Sequence, residues 1–176
     1  MSLAVNFGSE LLWIMRELQY FGKSDREGGF PDAVAKYMLV QMGINVNDVD
    51  EANRLYWKKF NDNTLGDLDD AVERIRNLAF DKDYLFLKTE VVSALAAIIQ
   101  VQHSEVTPEQ KKFIDLFQDV FDLKPSDFQS ALQHGTDMGI ALKYVVNEYI
   151  KTTTKQPALP NNASVPNSTK SGAANK

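Results

Sequence analysis

The residues in this chain best suited to proton transfer or zinc binding are its two histidines, His103 and His134. The sequence places His103 just before one predicted helix and His134 at the end of another. Zinc would need further ligands, and the chain has no cysteine and neither the HExxH nor the HxxxH spacing. No GxSxG sequence indicates a serine nucleophile. We therefore expect no enzyme, and a hydrolase with a buried acid–histidine site is the less favoured alternative.

Other motifs that carry chemistry are also missing from the sequence. There is no phosphate-binding loop, no dinucleotide fingerprint and no ExxH spacing of a diiron site. Segment 61–72 superficially resembles a calcium-binding loop. However, Leu65 occupies its fifth position and Val72 its twelfth, where a bidentate glutamate belongs. The sequence therefore predicts no calcium-binding helix–loop–helix at this segment.

Length and composition favour one globular domain. The chain has 176 residues, of which 44% are hydrophobic and 24% charged. Its net charge of −5 makes a nucleic-acid partner unlikely, because an acidic protein repels phosphate. The absence of cysteine excludes disulfides, and no signal peptide is visible, so we expect a cytoplasmic protein. The longest apolar run, 91–101, is too short for a transmembrane segment.

Apolar residues recur at three- and four-residue steps along most of the chain, which predicts an all-α protein. No run of alternating β-branched residues predicts a strand. We therefore expect a compact bundle of seven to eight helices. The first helix is predicted over 9–22, and its stripe includes Leu11, Ile14 and Leu18. The fifth, over 83–102, is the least polar and is therefore expected at the centre.

Capping residues predict where the other helices begin and end. Pro31 and Pro125 suit first helical positions, and Thr107 with Gln110 forms a capping box. Gly43 is expected to end the second helix, and Gly135 the seventh. The residues predicted to cap the third, fourth and eighth helices are Asn47, Thr64 and Thr136. Side chains expected to point inward include Tyr37, Phe60, Ile140 and either Tyr144 or Val145.

Two segments of the chain follow one pattern, in which a polar turn and an apolar residue precede two consecutive helices. Phe30 and Val106 are 76 residues apart, whereas Val49 and Phe128, in the helices that follow, are 79 apart. The pattern predicts one domain over 1–151, with one repeat at about 9–80 and the other at about 81–150. Residues 152–176 are rich in Thr, Asn, Ser and Lys and are predicted to be a disordered tail.

The stretch ALAAIIQVQHSEVTPEQKKFIDLFQDVFDLKPSDF resembles a repeat of the TerB-like (tellurite resistance protein B) family. In that family a small-residue helix leads into an Asp-Gly-Glu-like turn, an apolar residue and a Ser/Thr-Pro-Glu helix start. The residues that match this order are Glu105, Val106, Thr107, Pro108 and Glu109. His103 and Ser104 replace the usual Asp and Gly. In the first copy the corresponding run is Glu27, Gly28, Gly29 and Phe30.

The resemblance implies a two-repeat helical fold and a link to stress and tellurite resistance in bacteria. It also implies a divalent metal ion at the acidic turns, with Asp25 and Glu27 as ligands in one turn and Glu105 and Glu109 in the other. No other cofactor is implied. The same acids would also be favoured for a structural reason, because carboxylates stabilise the positive end of a helix dipole.

Together these features predict a non-enzymatic, stress-associated module that binds a partner protein. A purely structural interaction domain without a ligand is the alternative. Exposed aromatic residues would mark a partner surface. Most of the aromatic residues considered for this role are expected in the core, namely Tyr20, Phe21, Tyr56 and Phe60. Trp13 and Trp57 lie off the main apolar stripes and are expected to be partly exposed.

Overall fold

The computed structural model describes residues 2–21, 31–79, 85–102 and 105–153, and these form seven α-helices. No strand occurs within these ranges, so the prediction of an all-α fold is confirmed. Residues 152 and 153 still belong to the last helix, and the rest of the predicted tail lies outside the described residues. The helices are α1 (Leu3–Leu18), α2 (Pro31–Gln41), α3 (Val46–Asn61), α4 (Leu68–Ala79), α5 (Leu85–Gln102), α6 (Pro108–Val120) and α7 (Pro125–Thr153).

Helix α5 lies at the centre, as predicted. All residues from 91 to 99 are buried, and α5 contacts α1, α2, α6 and, most extensively, α7. A helix that is apolar on every side buries each face against another element. Within the described ranges, none of the helices combines the length and the apolar character needed to cross a membrane.

Helix α1 is the core of the first half of the chain and packs on α2, α3 and α4. The predicted stripe is confirmed, since Leu11, Ile14 and Leu18 are fully buried. The prediction for Trp13 is wrong, because only 6% of this residue is exposed. Because neighbouring helices cover α1 on several sides, every residue from 7 to 16 is buried, including those off the stripe.

Two helices are capped by residues other than those predicted. The side chain of Asn45, not Asn47, caps α3 and accepts a hydrogen bond at 2.8 Å from the backbone N–H of Asn47. The Asp67 carboxylate caps α4, because it accepts a hydrogen bond at 2.9 Å from the backbone N–H of Asp70. Thr64 lies too far before α4 for this role, and its hydroxyl donates instead to the Lys59 carbonyl at 3.4 Å.

The α2–α3 and α6–α7 links each contain a left-handed residue followed by the same type of backbone hydrogen bond. Gly43 ends α2 with φ of +85°, which confirms its predicted left-handed geometry, and Asp122 takes the matching place with φ of +49°. These two residues are 79 apart, which is the offset predicted from Val49 and Phe128. In both links the N–H of the next residue donates to the carbonyl oxygen five residues earlier. The Ile44 N–H donates to the Leu39 carbonyl at 3.2 Å, and the Leu123 N–H donates to the Gln118 carbonyl at 2.9 Å.

Helix α7 does not end at Gly135, so the predicted eighth helix and its cap at Thr136 are wrong. A side chain at Gly135 would place its Cβ 2.1 Å from the Ser93 carbonyl oxygen of α5. At Gly139 it would lie 2.6 Å from the Ala97 carbonyl oxygen. Both glycines keep helical φ values, so they allow close packing between two helices and do not end α7.

The C-terminal half of α7 exposes apolar side chains that were predicted to point inward. Helix α7 has 29 residues whereas its main neighbour α5 has 18, so α7 extends beyond the helix that covers it. The prediction for Tyr37 on α2 is also wrong. The exposed fractions are 55% for Ile140, 69% for Tyr144, 62% for Val145 and 43% for Tyr37.

Candidate functional site

Two of the four predicted metal ligands can be located. Asp25 and Glu27 lie outside the described residues, whereas Glu105 and Glu109 are both exposed. Glu109 belongs to the first turn of α6, where a carboxylate stabilises the positive end of the helix. Within the described ranges, no group of three or more His, Cys, Asp or Glu residues is placed to hold a metal ion. A cation at Glu105 and Glu109 would need further ligands from outside these ranges.

The turn before α6 joins that helix to α1. The predicted capping box is confirmed, with Gln110 N–H donating to Thr107 Oγ1 at 3.1 Å and Thr107 N–H donating to Gln110 Oε1 at 2.9 Å. Gln110 Nε2 also donates to the carbonyls of Leu18 and Gln19, at 3.0 and 3.2 Å. Thr107 Oγ1 donates to the Phe21 carbonyl at 2.7 Å. The turn thus satisfies carbonyls that a helix end leaves without partners.

The histidine that can be located lies on the surface. His134 is exposed on α7 and lines a hollow of about 240 Å³ with Glu90 and Asp127. It makes no hydrogen bond or ion pair with another described residue. His103 lies outside the described ranges. The described part of the chain therefore contains no buried histidine that an acid could activate.

A buried carboxylate joins three helices of the first half. The Glu10 side chain on α1 is 5% exposed and accepts from Lys59 Nζ of α3 at 2.7 Å and from Arg74 Nη2 of α4 at 3.0 Å. Arg74 also donates to the Leu65 carbonyl at 3.2 Å. These groups line a hollow of about 300 Å³. Because each charge already has a partner, the cluster is a structural connection between the helices.

Helix α3 carries three aromatic side chains in contact near its C-terminal end. The ring centroids of Tyr56 and Trp57 are 5.1 Å apart, and those of Trp57 and Phe60 are 5.5 Å apart. Tyr56 is buried, but 39% of Trp57 and 53% of Phe60 remain exposed. The partial exposure of Trp57 was predicted correctly, whereas Phe60 was wrongly assigned to the core. We call the exposed pair, Trp57 and Phe60, the α3 aromatic surface.

Contacts beneath the α3 aromatic surface hold its rings in place. Arg16 of α1 is 5% exposed, and its guanidinium carbon lies 4.1 Å from the Tyr56 ring centroid and 5.1 Å from that of Trp57. Arg16 Nη2 also donates to Asn53 Oδ1 at 2.8 Å. Trp57 is turned by about 100° from buried Tyr56 because it is the next residue along the helix. These contacts restrict the rotamers that the exposed rings can adopt.

Two further hollows are lined mainly by apolar atoms. One of about 220 Å³ lies between α5, α6 and α7 and includes Ile99, Ile114 and Leu132. The other, of about 410 Å³, is formed by Phe21, Phe113 and their neighbours. Glu109 and Lys112 lie at the second hollow, but neither hollow brings together the groups needed for acid–base chemistry.

Sequence reasoning missed the two buried charges of α1, Glu10 and Arg16. The signal was present, since both lie in a helix in which most residues are apolar. Charged side chains are rarely buried unless they are paired. A charge on such a helix therefore predicts a partner, but the partners here are 37 to 64 residues away along the chain.

No family model, curated protein or solved structure matches this chain. The geometry of its own side chains and the resemblance of its turns are therefore the observations that bear on function. Among the surfaces described above, the α3 aromatic surface combines exposure with order most clearly.

Proposed function

We propose that this chain is a non-enzymatic, cytoplasmic TerB-like module that binds a partner protein through the α3 aromatic surface. The observation that carries the proposal is that Trp57 and Phe60 are partly exposed and yet held in contact with each other and with buried Tyr56. Exposed aromatic residues that are already ordered lose little side-chain entropy on binding. Tryptophan is also among the residues that contribute most to the affinity of protein interfaces.

The second half of α7 is a weaker candidate for the partner surface. Tyr144 is more exposed than Trp57, at 69%, but it makes no ring contact with another described aromatic residue. Ordering such a side chain costs free energy on binding, which reduces affinity. The α3 aromatic surface therefore supports the proposal better, and α7 offers a position for control experiments.

The proposed TerB-like organisation is supported by the equivalent links between helices. The left-handed residues Gly43 and Asp122, and the helix starts that follow them, keep one offset of 79 residues. The two halves also pack similarly, because α1 contacts α3 most extensively and α5 contacts α7 most extensively. We therefore propose two pseudo-symmetric repeats at about 9–80 and 81–150, in which α1–α3 correspond to α5–α7 and α4 completes the first repeat. The association with stress and tellurite resistance rests on the sequence resemblance.

A divalent cation at the acidic turns is the remaining part of the proposal. Its candidate ligands are Asp25 and Glu27 in one turn and Glu105 and Glu109 in the other. Calorimetric titration of the full chain with calcium, magnesium, manganese and zinc tests it. Heat of binding that disappears in Glu105→Gln and Glu27→Gln would support the ligands, and no heat at millimolar metal would remove the cation from the proposal.

Site-specific photocrosslinking in the native host tests the partner surface. A photoreactive residue at Asn61, which is exposed on α3, should crosslink to a discrete partner, whereas the same residue at Gln129 on α7 should not. Adding Trp57→Ala and Phe60→Ala should remove the crosslink, because these rings supply most of the buried apolar area. A crosslink at Asn61 that survives both substitutions, or equal crosslinking at the two positions, would contradict the proposal.

A further inference from the structure

Two cations next to the α3 aromatic surface have no partner among the described residues. Arg54 is three residues before Trp57 and four residues before Lys58. The Arg54 side chain is therefore a neighbour of both on the helix surface. Both are exposed, and neither side chain forms an ion pair or hydrogen bond with another described residue. Lys59, in contrast, is already paired with Glu10. Positive charge therefore remains available beside the exposed rings.

Arg16 lies below the same rings. Its guanidinium lies against the faces of Tyr56 and Trp57, so the negative faces of these rings are already satisfied on the inner side. The indole N–H of Trp57 has no acceptor among the described residues and can donate to a partner. Acceptor groups such as carboxylates are the chemistry that complements this arrangement.

The rest of the protein makes this local charge unusual. The chain has a net charge of −5, and the N-terminal half of α3 itself carries Asp48, Asp50 and Glu51. An acidic segment would be attracted to the exposed side chains of Arg54 and Lys58, although the chain as a whole is acidic. Such complementarity determines orientation and partner choice.

We propose that the α3 aromatic surface binds an acidic segment of a partner protein, with carboxylates at Arg54 and Lys58 and an apolar side chain against Trp57 and Phe60. This inference rests on the proposed function and adds the chemistry of the partner. Two exposed cations are few for nucleic acid, because proteins that bind it tightly neutralise about six to ten phosphates. Two exposed rings also provide less apolar area than the continuous face of a membrane-binding helix.

Selection of displayed random peptides against the full-length protein tests the inference. The selected peptides should be rich in Asp and Glu next to an aromatic or aliphatic residue. Their affinity, measured with labelled synthetic copies by fluorescence anisotropy, should fall at least about tenfold in Arg54→Glu/Lys58→Glu, because like charges then face each other. Trp57→Ala should cause a loss of similar size through the apolar contact.

Matched controls separate the local charge from the net charge. Lys112→Glu/Lys124→Glu changes the net charge equally but at exposed lysines of α6 and the α6–α7 link, and it should leave peptide affinity within about twofold. Arg54→Gln/Lys58→Gln removes the positive charge without reversing it and should give an intermediate loss. Circular dichroism of each variant checks that the fold is retained.

The remaining outcomes overturn either this inference alone or the proposed function with it. Selected peptides that need Trp57 but are neutral or basic, and that ignore Arg54→Glu/Lys58→Glu, would overturn only the acidic partner. Peptides that bind independently of Trp57 and Phe60, or no selected peptide at all, would contradict both proposals. Binding of oligothymidine or of anionic phosphatidylserine vesicles that depends on Arg54 and Lys58, without acidic-peptide binding, would also overturn the acidic segment.

Discussion

Gln110 shows how one side chain can combine a local and a long-range role. It is fully buried, and its amide oxygen completes the capping box of α6 while its amide nitrogen donates to two carbonyls at the end of α1. The capping box follows from residues three apart and could be predicted from sequence. The contact with α1 could not, because Leu18 is 92 residues away along the chain.

Substitution of Gln110 by Glu tests the contact with α1. Glu serves a capping box as well as Gln does, so the local rule alone predicts little change. Here we expect destabilisation by about 2 kcal/mol or more, because a buried carboxylate would face carbonyl oxygens and lose both donors. Urea unfolding followed by circular dichroism measures the difference.

Substitution of Glu109 by Gln is the matched control for this measurement, since Glu109 is exposed in the same turn. Loss of its favourable interaction with the helix dipole should cost at most about 1 kcal/mol. Equal stability of Gln110→Glu and the unsubstituted protein would show that the amide contact with α1 contributes nothing.

At the scale of elements, the pair α5–α7 has the most extensive helix contact that the structure describes. Gly135 and Gly139 lie against the backbone of Ser93 and Ala97, and Ser93 Oγ donates to the Ala131 carbonyl at 2.9 Å. Small residues one turn apart allow two helices to approach until backbone atoms are in contact. The glycines that looked like helix ends in the sequence are therefore the residues on which this packing depends.

Gly135→Ala tests the packing of α5 against α7. In an exposed helix this substitution stabilises by about 1 kcal/mol, because alanine has the higher helix propensity. Here a Cβ 2.1 Å from the Ser93 carbonyl oxygen would force the helices apart. We expect net destabilisation by about 1–3 kcal/mol or more in thermal or urea unfolding.

Ser130→Ala provides the comparison on the same helix, because Ser130 is exposed and alanine should be neutral or slightly stabilising there. A Gly135→Ala protein as stable as Ser130→Ala would mean that α7 does not approach α5 this closely.

At the scale of the whole molecule, the two proposed repeats share one core. Helix α5 contacts α1 and α2 of the first half as well as α6 and α7 of the second, and Gln110 joins α6 to α1. Contacts of this kind should make the halves unfold together, as in most single domains of this size.

The positions of the tryptophans allow this cooperativity to be measured. The protein has two, Trp13 and Trp57, and both lie in the first half. Ile114→Val, in a buried position of α6, should destabilise by about 0.5–1.5 kcal/mol. We expect the urea transition seen by tryptophan fluorescence to shift by the same amount as that seen by circular dichroism. A fluorescence transition that does not move would show that the halves unfold independently.

Local rules determined a large part of this protein from its sequence. The period of apolar residues predicted the helices, and the capping box at Thr107 and the left-handed Gly43 were predicted correctly because each depends on residues within one or two turns. Tertiary structure decided the rest. Whether Gly135 ends a helix, whether Trp13 is buried and whether Phe60 is exposed all depend on which distant helices lie against these residues. Whether a residue is buried or closely packed depends on the helices that lie against it, and its own type does not specify this.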